Sequence, residues 1–380
     1  MNQFKIPPIS TLSGSTLINY FKILRRGDIS SRYYFKIFLT TLIVLISAPF
    51  HIWEEIAFYW KLRRFQFKKA PLFIIGHWRS GTTLLHNMLC KDPDAAYLTT
   101  YQSVFPNNLA SKWIFKTFMR INTPEKRPSD NVKLHVDYPQ EDEFAFANSN
   151  PNAYYNFFYF PGNYRKYYER AVHHTGLSDK DKLKWFTSYK KLLKKAALNI
   201  GGQRLIIKNP VNTARIKHIL KLFPNAKFLH IYRNPLTVFL STQRFFHSLF
   251  PTLVLQETSK EFIDGLIFDV YMRLMDDYHM QKTLIPKENL FELRFEEFEK
   301  NPVGLGGKIY TDLLQEDFAP VKKYFEEYLE SIKDYQKNSY EIDAAAADLI
   351  RKHWGRFMDL YNYDIPGDVI VINSNGANKG

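Results

Sequence analysis

Pro71-Leu-Phe-Ile-Ile-Gly76-His-Trp-Arg79-Ser-Gly81-Thr-Thr-Leu-Leu85 is the stretch from which the fold of this chain is read. Leu72 to Ile75 is an apolar run long enough for one buried strand, and Gly76 and Gly81 bracket a tight loop. Thr82, Thr83, Leu84, Leu85, Met88 and Leu89 then open an amphipathic helix. Strand, glycine-bracketed loop and helix N-terminus together make a phosphate cradle. Free backbone N–H groups and the positive end of the helix dipole converge there on one spot. Arg79 adds a charge to it, and Thr82 and Thr83 add hydroxyl donors.

The spacing from Gly76 to Gly81 matches the nucleotide-binding loop G-x-x-x-x-G-K-[ST], but Thr82 stands where the Lys belongs. The positive charge sits three residues earlier, at Arg79. An NTPase lacking its loop Lys is the weaker reading.

His77-Trp-Arg-Ser-Gly-Thr-Thr-Leu84 resembles the 5′-phosphosulfate loop of sulfotransferases that use 3′-phosphoadenosine-5′-phosphosulfate (PAPS). Those enzymes carry a second signature, an Arg followed eight residues later by a Ser, which grips the 3′-phosphate. Lys227-Phe-Leu-His-Ile-Tyr-Arg233-Asn-Pro-Leu-Thr-Val-Phe-Leu-Ser241 matches it. Physical reading agrees: Phe228 to Tyr232 is a strand candidate with Arg233 at its end, Asn234 suits an N-cap and Pro235 the first helical position. Ser241 falls about two turns in, roughly on the face that Asn234 begins. The resemblance covers about residues 70 to 364 and is closest to the bacterial branch with an Arg-Ser-Gly-Thr-Thr loop. It implies that Trp78, Arg79, Ser80, Gly81, Thr82 and Thr83 hold the phosphosulfate end of the donor, and Arg233 and Ser241 its 3′-phosphate. Trp78 either stacks on adenine or buttresses the loop. Lys208, ending the strand candidate Leu205–Ile207, would assist near the sulfuryl group.

Composition narrows the partners. The 380 residues suffice for one large α/β domain with additions, and 45% are apolar. One Cys, Cys90, excludes a disulfide framework and a zinc cluster. A net charge of +14 fits nucleic acid, anionic lipid or a polyanionic small molecule. No helix-turn-helix spacing, zinc finger or RNA-recognition motif is present and the basic residues are spread, so nucleic acid is not the expected partner. No metal-ligand cluster is visible, and no obligatory metal is expected.

Residues 37 to 50 are the most apolar stretch, short for a span of about 20 residues. Pro49 and His51 interrupt it. Arg25, Arg26 and Arg32 precede it, and Arg63, Arg64, Lys68 and Lys69 follow it, which resists translocation of either flank. A re-entrant or interfacial helix over residues 37–60, with both ends on the cytoplasmic face, is the expectation; the alternative is a buried accessory helix packed on the soluble domain.

Further strand candidates are Ala96–Thr100 and Leu290–Phe295. Helices between the strands make parallel βαβ pairing the natural topology. Val211 to Phe223 carries one apolar helical face. Ser178 with Asp181 opens a helix that Gly201-Gly202 closes, Thr258 with Glu261 opens another, and Ser339 is placed as the cap of the last. The expected division is an N-terminal extension over 1–69, a sulfotransferase domain over 70–364 and a flexible tail over 365–380.

The acceptor side is read from residues 130 to 168. Asp137-Tyr-Pro-Gln-Glu-Asp-Glu143 is an acidic cluster in a basic chain, and Tyr154 to Tyr168 packs nine aromatics into fifteen positions. Sulfuryl transfer benefits from a base within hydrogen-bond reach of the acceptor hydroxyl. Related bacterial sulfotransferases use a Glu in this region, which ranks Glu141 first, Asp137 second and His135 third. An aromatic-lined mouth would suit an apolar alcohol or phenol. The reading is an α/β protein with a P-loop-like parallel sheet flanked by helices and an N-terminal apolar helical extension. The resemblance implies transfer of a sulfuryl group from PAPS, leaving PAP, to a hydroxyl of an apolar or lipid-like acceptor. The alternatives are a P-loop-like kinase or NTPase requiring Mg²⁺, and a non-enzymatic protein that docks on anionic membranes.

Overall fold

A computed structural model describes residues 9–122, 134–334, 340–366 and 369–372. Its central sheet has five parallel strands: β1 (Leu72–Ile75), β2 (Ala95–Ala96), β3 (Arg204–Lys208), β4 (Lys227–Tyr232) and β5 (Leu290–Arg294). Their order is β2-β3-β1-β4-β5. Both faces of the sheet are covered. Leu72 and Ile74 pack with Leu85, Met88, Leu89, Leu229 and Phe298 on one side, while Phe73 and Ile75 pack with Ile207 and Phe228 on the other. This two-sided burial explains why β1 is a continuous apolar run without alternation.

β2 and β3 lie on one side of β1, and β4 and β5 on the other, so β1 and β4 flank the point where strand order reverses. Ligands of open parallel sheets bind at the carboxyl ends of the strands beside such a point. Lys208 at the end of β3 and the loops that leave β1 and β4, carrying Arg79 and Arg233, lie there.

Several local expectations change. The strand candidate Ala96–Thr100 shrinks to β2. Thr99 instead caps the helix Thr100–Val104, accepting from the Gln102 N–H at 3.2 Å while its own N–H donates to Gln102 Oε1 at 3.2 Å. Ser259, not Thr258, caps the helix Lys260–Gln281, because its hydroxyl accepts from the Phe262 N–H at 3.1 Å. The segment 211–223 divides into a 3-10 turn, Pro210–Ala214, and a helix, Ile216–Leu222. Asn209 Oδ1 holds the Val211 N–H at 3.0 Å and tightens the first turn. Ser178, Gly201, Asn234 and Pro235 stand where expected, Gly201 in the left-handed region at φ 87°. Ser339 lies outside the described residues. In the tail, β7 (Val369–Ile372) pairs in parallel with β6 (Tyr340–Asp343).

The apolar stretch 37–50 is longer as structure than as sequence. It sits inside one helix, Tyr34–Arg64, of 31 residues. Pro49 is accommodated within it at the loss of one backbone hydrogen bond.

Candidate active site

The loop between β1 and the helix Thr82–Leu89 depends on its glycines. Gly76 has φ +139°, and a Cβ there would lie 2.2 Å from the Ile231 carbonyl oxygen. Gly81, the helix N-cap, has φ +91°, and its Cβ would meet the Phe295 ring at 2.1 Å. No other residue fits either position. Arg79 also takes a left-handed conformation, φ 67°, uncommon for a residue with a Cβ. The Thr213 hydroxyl accepts from the Gly76 N–H at 2.8 Å and fixes the start of the loop.

Arg79 Nε donates to Ser241 Oγ at 2.9 Å, and its guanidinium lies 5.4 Å from the Phe245 ring centre. The Phe295 ring that abuts Gly81 carries the Arg233 guanidinium 4.4 Å above its centre. Among the described residues, no carboxylate pairs with Arg233. Arg79, Arg233 and Ser241 therefore gather around the carboxyl ends of β1 and β4.

Lys208 ends β3 beside Ile74 of β1. It is buried, and its ammonium pairs with Glu141 Oε1 and reaches Thr83 Oγ1 at 3.5 Å. Glu141 stands at the N-cap of the helix Asp142–Ala147. Its other oxygen accepts from the Tyr155 hydroxyl, which in turn accepts from Trp78 Nε1 at 3.0 Å. Loop, strand end and acidic segment are thus joined in one chain of contacts, Trp78–Tyr155–Glu141–Lys208–Thr83. Burial, with Glu141 beside it, pushes the Tyr155 phenol well above its usual range, so it remains a donor. A carboxylate accepts up to about four hydrogen bonds. The two bonds on Glu141 leave it lone-pair capacity for a further donor.

Trp78 is only 4% exposed and packs against Tyr155, Phe246 and His77. Of its two expected roles, this is the geometry of a loop buttress. His77 is buried, bonded through Nδ1 to the Trp78 carbonyl at 2.9 Å, and burial holds it neutral, down to about 3. The second and third base candidates stand elsewhere. Asp137 pairs with Lys116 at 2.6 Å with its side chain 43% exposed, and His135 lies beside it at 3.8 Å. The structure joins Glu141 to Lys208 and leaves Asp137 and His135 at the surface.

Sequence reasoning missed the frame beneath Glu141. Glu143, two residues on, is fully buried and bound by Arg215 through both guanidinium nitrogens, at 2.5 and 2.8 Å. Asn209 Nδ2 and the Tyr154 N–H also donate to it, at 3.0 and 2.6 Å. This cluster ties the acidic segment to the turn after β3, which carries Lys208. Arg215 stood in plain view within an otherwise apolar helical face; that anomaly was the available signal.

The sequence profile of the sulfotransferase family matches residues 71–320. The chain belongs to that family. This sulfotransferase is 29% identical over 335 residues to the omega-hydroxy-beta-dihydromenaquinone-9 sulfotransferase Stf3 of Mycobacterium bovis, covering 88% of this chain and 85% of the relative. The Stf3 of Mycobacterium tuberculosis matches to the same extent, 29% over 335 residues. Among solved structures, the sulfotransferase STF9 from Mycobacterium avium superposes with a TM-score of 0.68 at 14% identity, covering 92% of this chain and 91% of that one. The STF1 structure from Mycobacterium tuberculosis gives 0.62 at 13% identity, covering 89% and 90%. These two establish likeness of fold. Family membership, carried by the sequence match, makes the protein a sulfotransferase and sets aside the kinase and NTPase alternative.

Proposed function

We propose that this sulfotransferase moves a sulfuryl group from PAPS to a hydroxyl of an apolar, lipid-like acceptor. The observation that carries the reading is the Arg79–Ser241 hydrogen bond, which brings the two donor signatures together beside the Glu141–Lys208 pair. The groups around the loop fit a donor with two anionic ends: cations at Arg79, Arg233 and Lys208, and hydroxyls at Ser80, Thr82, Thr83 and Ser241. The name of the relative Stf3, an omega-hydroxy-beta-dihydromenaquinone-9 sulfotransferase, supports a lipid-like acceptor.

Bound PAPS supplies the activated sulfuryl group; the protein positions and neutralises. Arg79, Ser80, Gly81, Thr82 and Thr83 hold the phosphosulfate end, and Arg79 stabilises the charge that builds on the leaving phosphate. Arg233 and Ser241 hold the 3′-phosphate, and Trp78 supports the loop. Glu141 takes the acceptor proton as the acceptor oxygen bonds to sulfur and the bond from sulfur to the phosphate oxygen breaks. Lys208 orients Glu141 and faces the sulfuryl group. The catalytic portion spans residues 70–364, with residues 1–69 as an extension and 365–380 as a tail. Residues 37–60 hold the protein peripherally at the cytoplasmic face of a membrane, a position supported by the basic residues on both flanks.

Thermal unfolding with PAP or with ATP and Mg²⁺ tests the donor assignment. PAP raises Tm and ATP–Mg²⁺ does not; stabilisation by ATP–Mg²⁺ alone overturns the reading.

A further inference from the structure

The helix Tyr34–Arg64 is amphipathic in the inverted sense. Its buried face is polar apart from Val44: Lys36, Thr40, Ser47, His51 and Glu54. Its exposed face is apolar: Phe35, Phe38, Ile46, Ile52, Ile56 and Trp60 are 67, 58, 64, 66, 71 and 60% exposed. Both sets recur at helical spacing and stand on opposite sides of the helix.

The polar side is built into the protein body. Lys36 Nζ donates to the Thr252 carbonyl at 2.6 Å, and Thr40 Oγ1 accepts from the Ser10 N–H at 3.0 Å. His51 Nε2 lies 3.0 Å from Asn108 Oδ1. Glu54, wholly buried, pairs with Lys195 and accepts from the Ala110 N–H at 3.1 Å. Near the C-terminal end, Lys194 Nζ donates to the Leu62 carbonyl at 2.8 Å. The helix is fastened along its length, from residue 36 to residue 62. Thirty-one residues extend about 46 Å and pass the length and hydropathy requirements of a membrane span. Spanning would strip Glu54, Lys36 and His51 of these partners inside hydrocarbon, at high cost.

We infer that this helix lies flat in the surface of an anionic lipid bilayer, with its Phe35–Trp60 face among the acyl chains and both ends on one side. The inference deepens the peripheral-membrane part of the function proposed above. Three observations favour lipid over a second copy of the chain. Lys61, Arg63 and Arg64 are exposed at the end of the apolar face, and the chain carries +14, which attracts anionic headgroups and repels another copy. Tyr59 and Trp60, edge to face at 5.1 Å, stand where the apolar face meets these cations, with the Arg64 guanidinium 5.7 Å from the Trp60 ring, as at a membrane–water boundary. The exposed apolar side chains recur on one face from Phe35 to Trp60, which suits a planar apolar medium.

The test uses the full chain and sealed vesicles of phosphatidylcholine with or without phosphatidylglycerol. The protein floats with the anionic vesicles, and Ile52→Glu with Ile56→Glu lowers partitioning more than about tenfold. Arg63→Ala with Arg64→Ala, which leaves the apolar face intact, weakens binding to anionic vesicles only. Arg32→Cys and Lys68→Cys, made separately, both react with an impermeant maleimide added outside. Labelling of one position alone means a span and overturns the inference. So does unchanged flotation of the Ile52→Glu, Ile56→Glu protein, or its conversion from dimer to monomer in light scattering without lipid binding by the parent. Vesicle binding requires neither donor nor acceptor, so failure here leaves the sulfuryl-transfer reading standing, and failure of transfer leaves this one standing.

Discussion

Arg79 and Ser241, 162 residues apart in the chain, share a 2.9 Å hydrogen bond from Nε to Oγ. Each belongs to a different donor signature, one on the loop after β1 and one on the helix after β4. Their contact means that groups assigned to the two ends of one donor are placed by a shared contact, so loss of one side disturbs the other.

Arg233→Ala tests the 3′-phosphate side. The Arg233 guanidinium is held over Phe295 by its ring face, without an acidic partner among the described residues, so its charge is available to a phosphate. Losing a charge-assisted phosphate contact costs about 1.5–3 kcal/mol of binding. The thermal shift given by PAP largely disappears in the variant while Tm without PAP changes little. Equal PAP shifts in both proteins contradict the assignment.

Glu141→Gln tests the base. The variant keeps PAP affinity and loses about 10²–10⁴-fold in kcat. Asp137→Asn stays within a few-fold of the parent, because Asp137 pairs with Lys116 at the surface. Tyr155→Phe removes one bond to Glu141 and the Trp78 partner, and lowers kcat less than Glu141→Gln. A dead Asp137→Asn beside an active Glu141→Gln reverses the order of the candidates.

Glu143→Ala tests the frame. It leaves the Arg215 guanidinium fully buried without its bidentate partner. Breaking a buried pair costs about 3–5 kcal/mol, seen as a lower denaturation midpoint. A midpoint unchanged from the parent shows that the pair does not hold the acidic segment.

Asp142 gives a pH dependence. Burial first, then the neighbouring Glu143, raises its folded pKa from 3.8 to about 7. Between pH ~4 and pH ~7 the folded state therefore holds a proton that the unfolded state has lost, and stability falls as pH rises through that window. The loss is at most about 4 kcal/mol above pH 7. Asp142→Asn flattens this part of the stability profile. A parallel profile in the variant assigns the dependence to another group.

The sheet and the loop after β1 were legible because a buried parallel strand and a glycine-bracketed turn are local properties. Leu72–Ile75 could only be buried, and Gly76 and Gly81 serve positive φ at close approaches to Ile231 and Phe295. The positions of Arg233 at a strand end and Ser241 on the following helix were legible for the same reason, that helix start being set by Asn234 and Pro235. Tyr155 and Arg215 were not, because their roles arise from pairing with Glu141 and Glu143 across the fold. The end of β2 was misread because Thr99 and Gln102 form a capping box, so side-chain bonds started a helix where β propensity continued the strand. The Tyr34–Arg64 helix runs three residues before and four beyond the expected 37–60, and Pro49 and His51, which interrupt the apolar run, do not interrupt the helix. The structure accommodates Pro49 within the helix and satisfies His51 through Asn108, a partner 57 residues away.

The most direct measurement is transfer of radiolabelled sulfate from PAPS to a panel of hydroxyl compounds, run in EDTA and without ATP. The account predicts label in an apolar, long-chain alcohol or quinol derivative, with release of PAP, and loss of that signal in Glu141→Gln and Arg233→Ala. No labelled product from any apolar acceptor, together with Mg²⁺-dependent phosphate transfer from ATP to the same compounds, contradicts it.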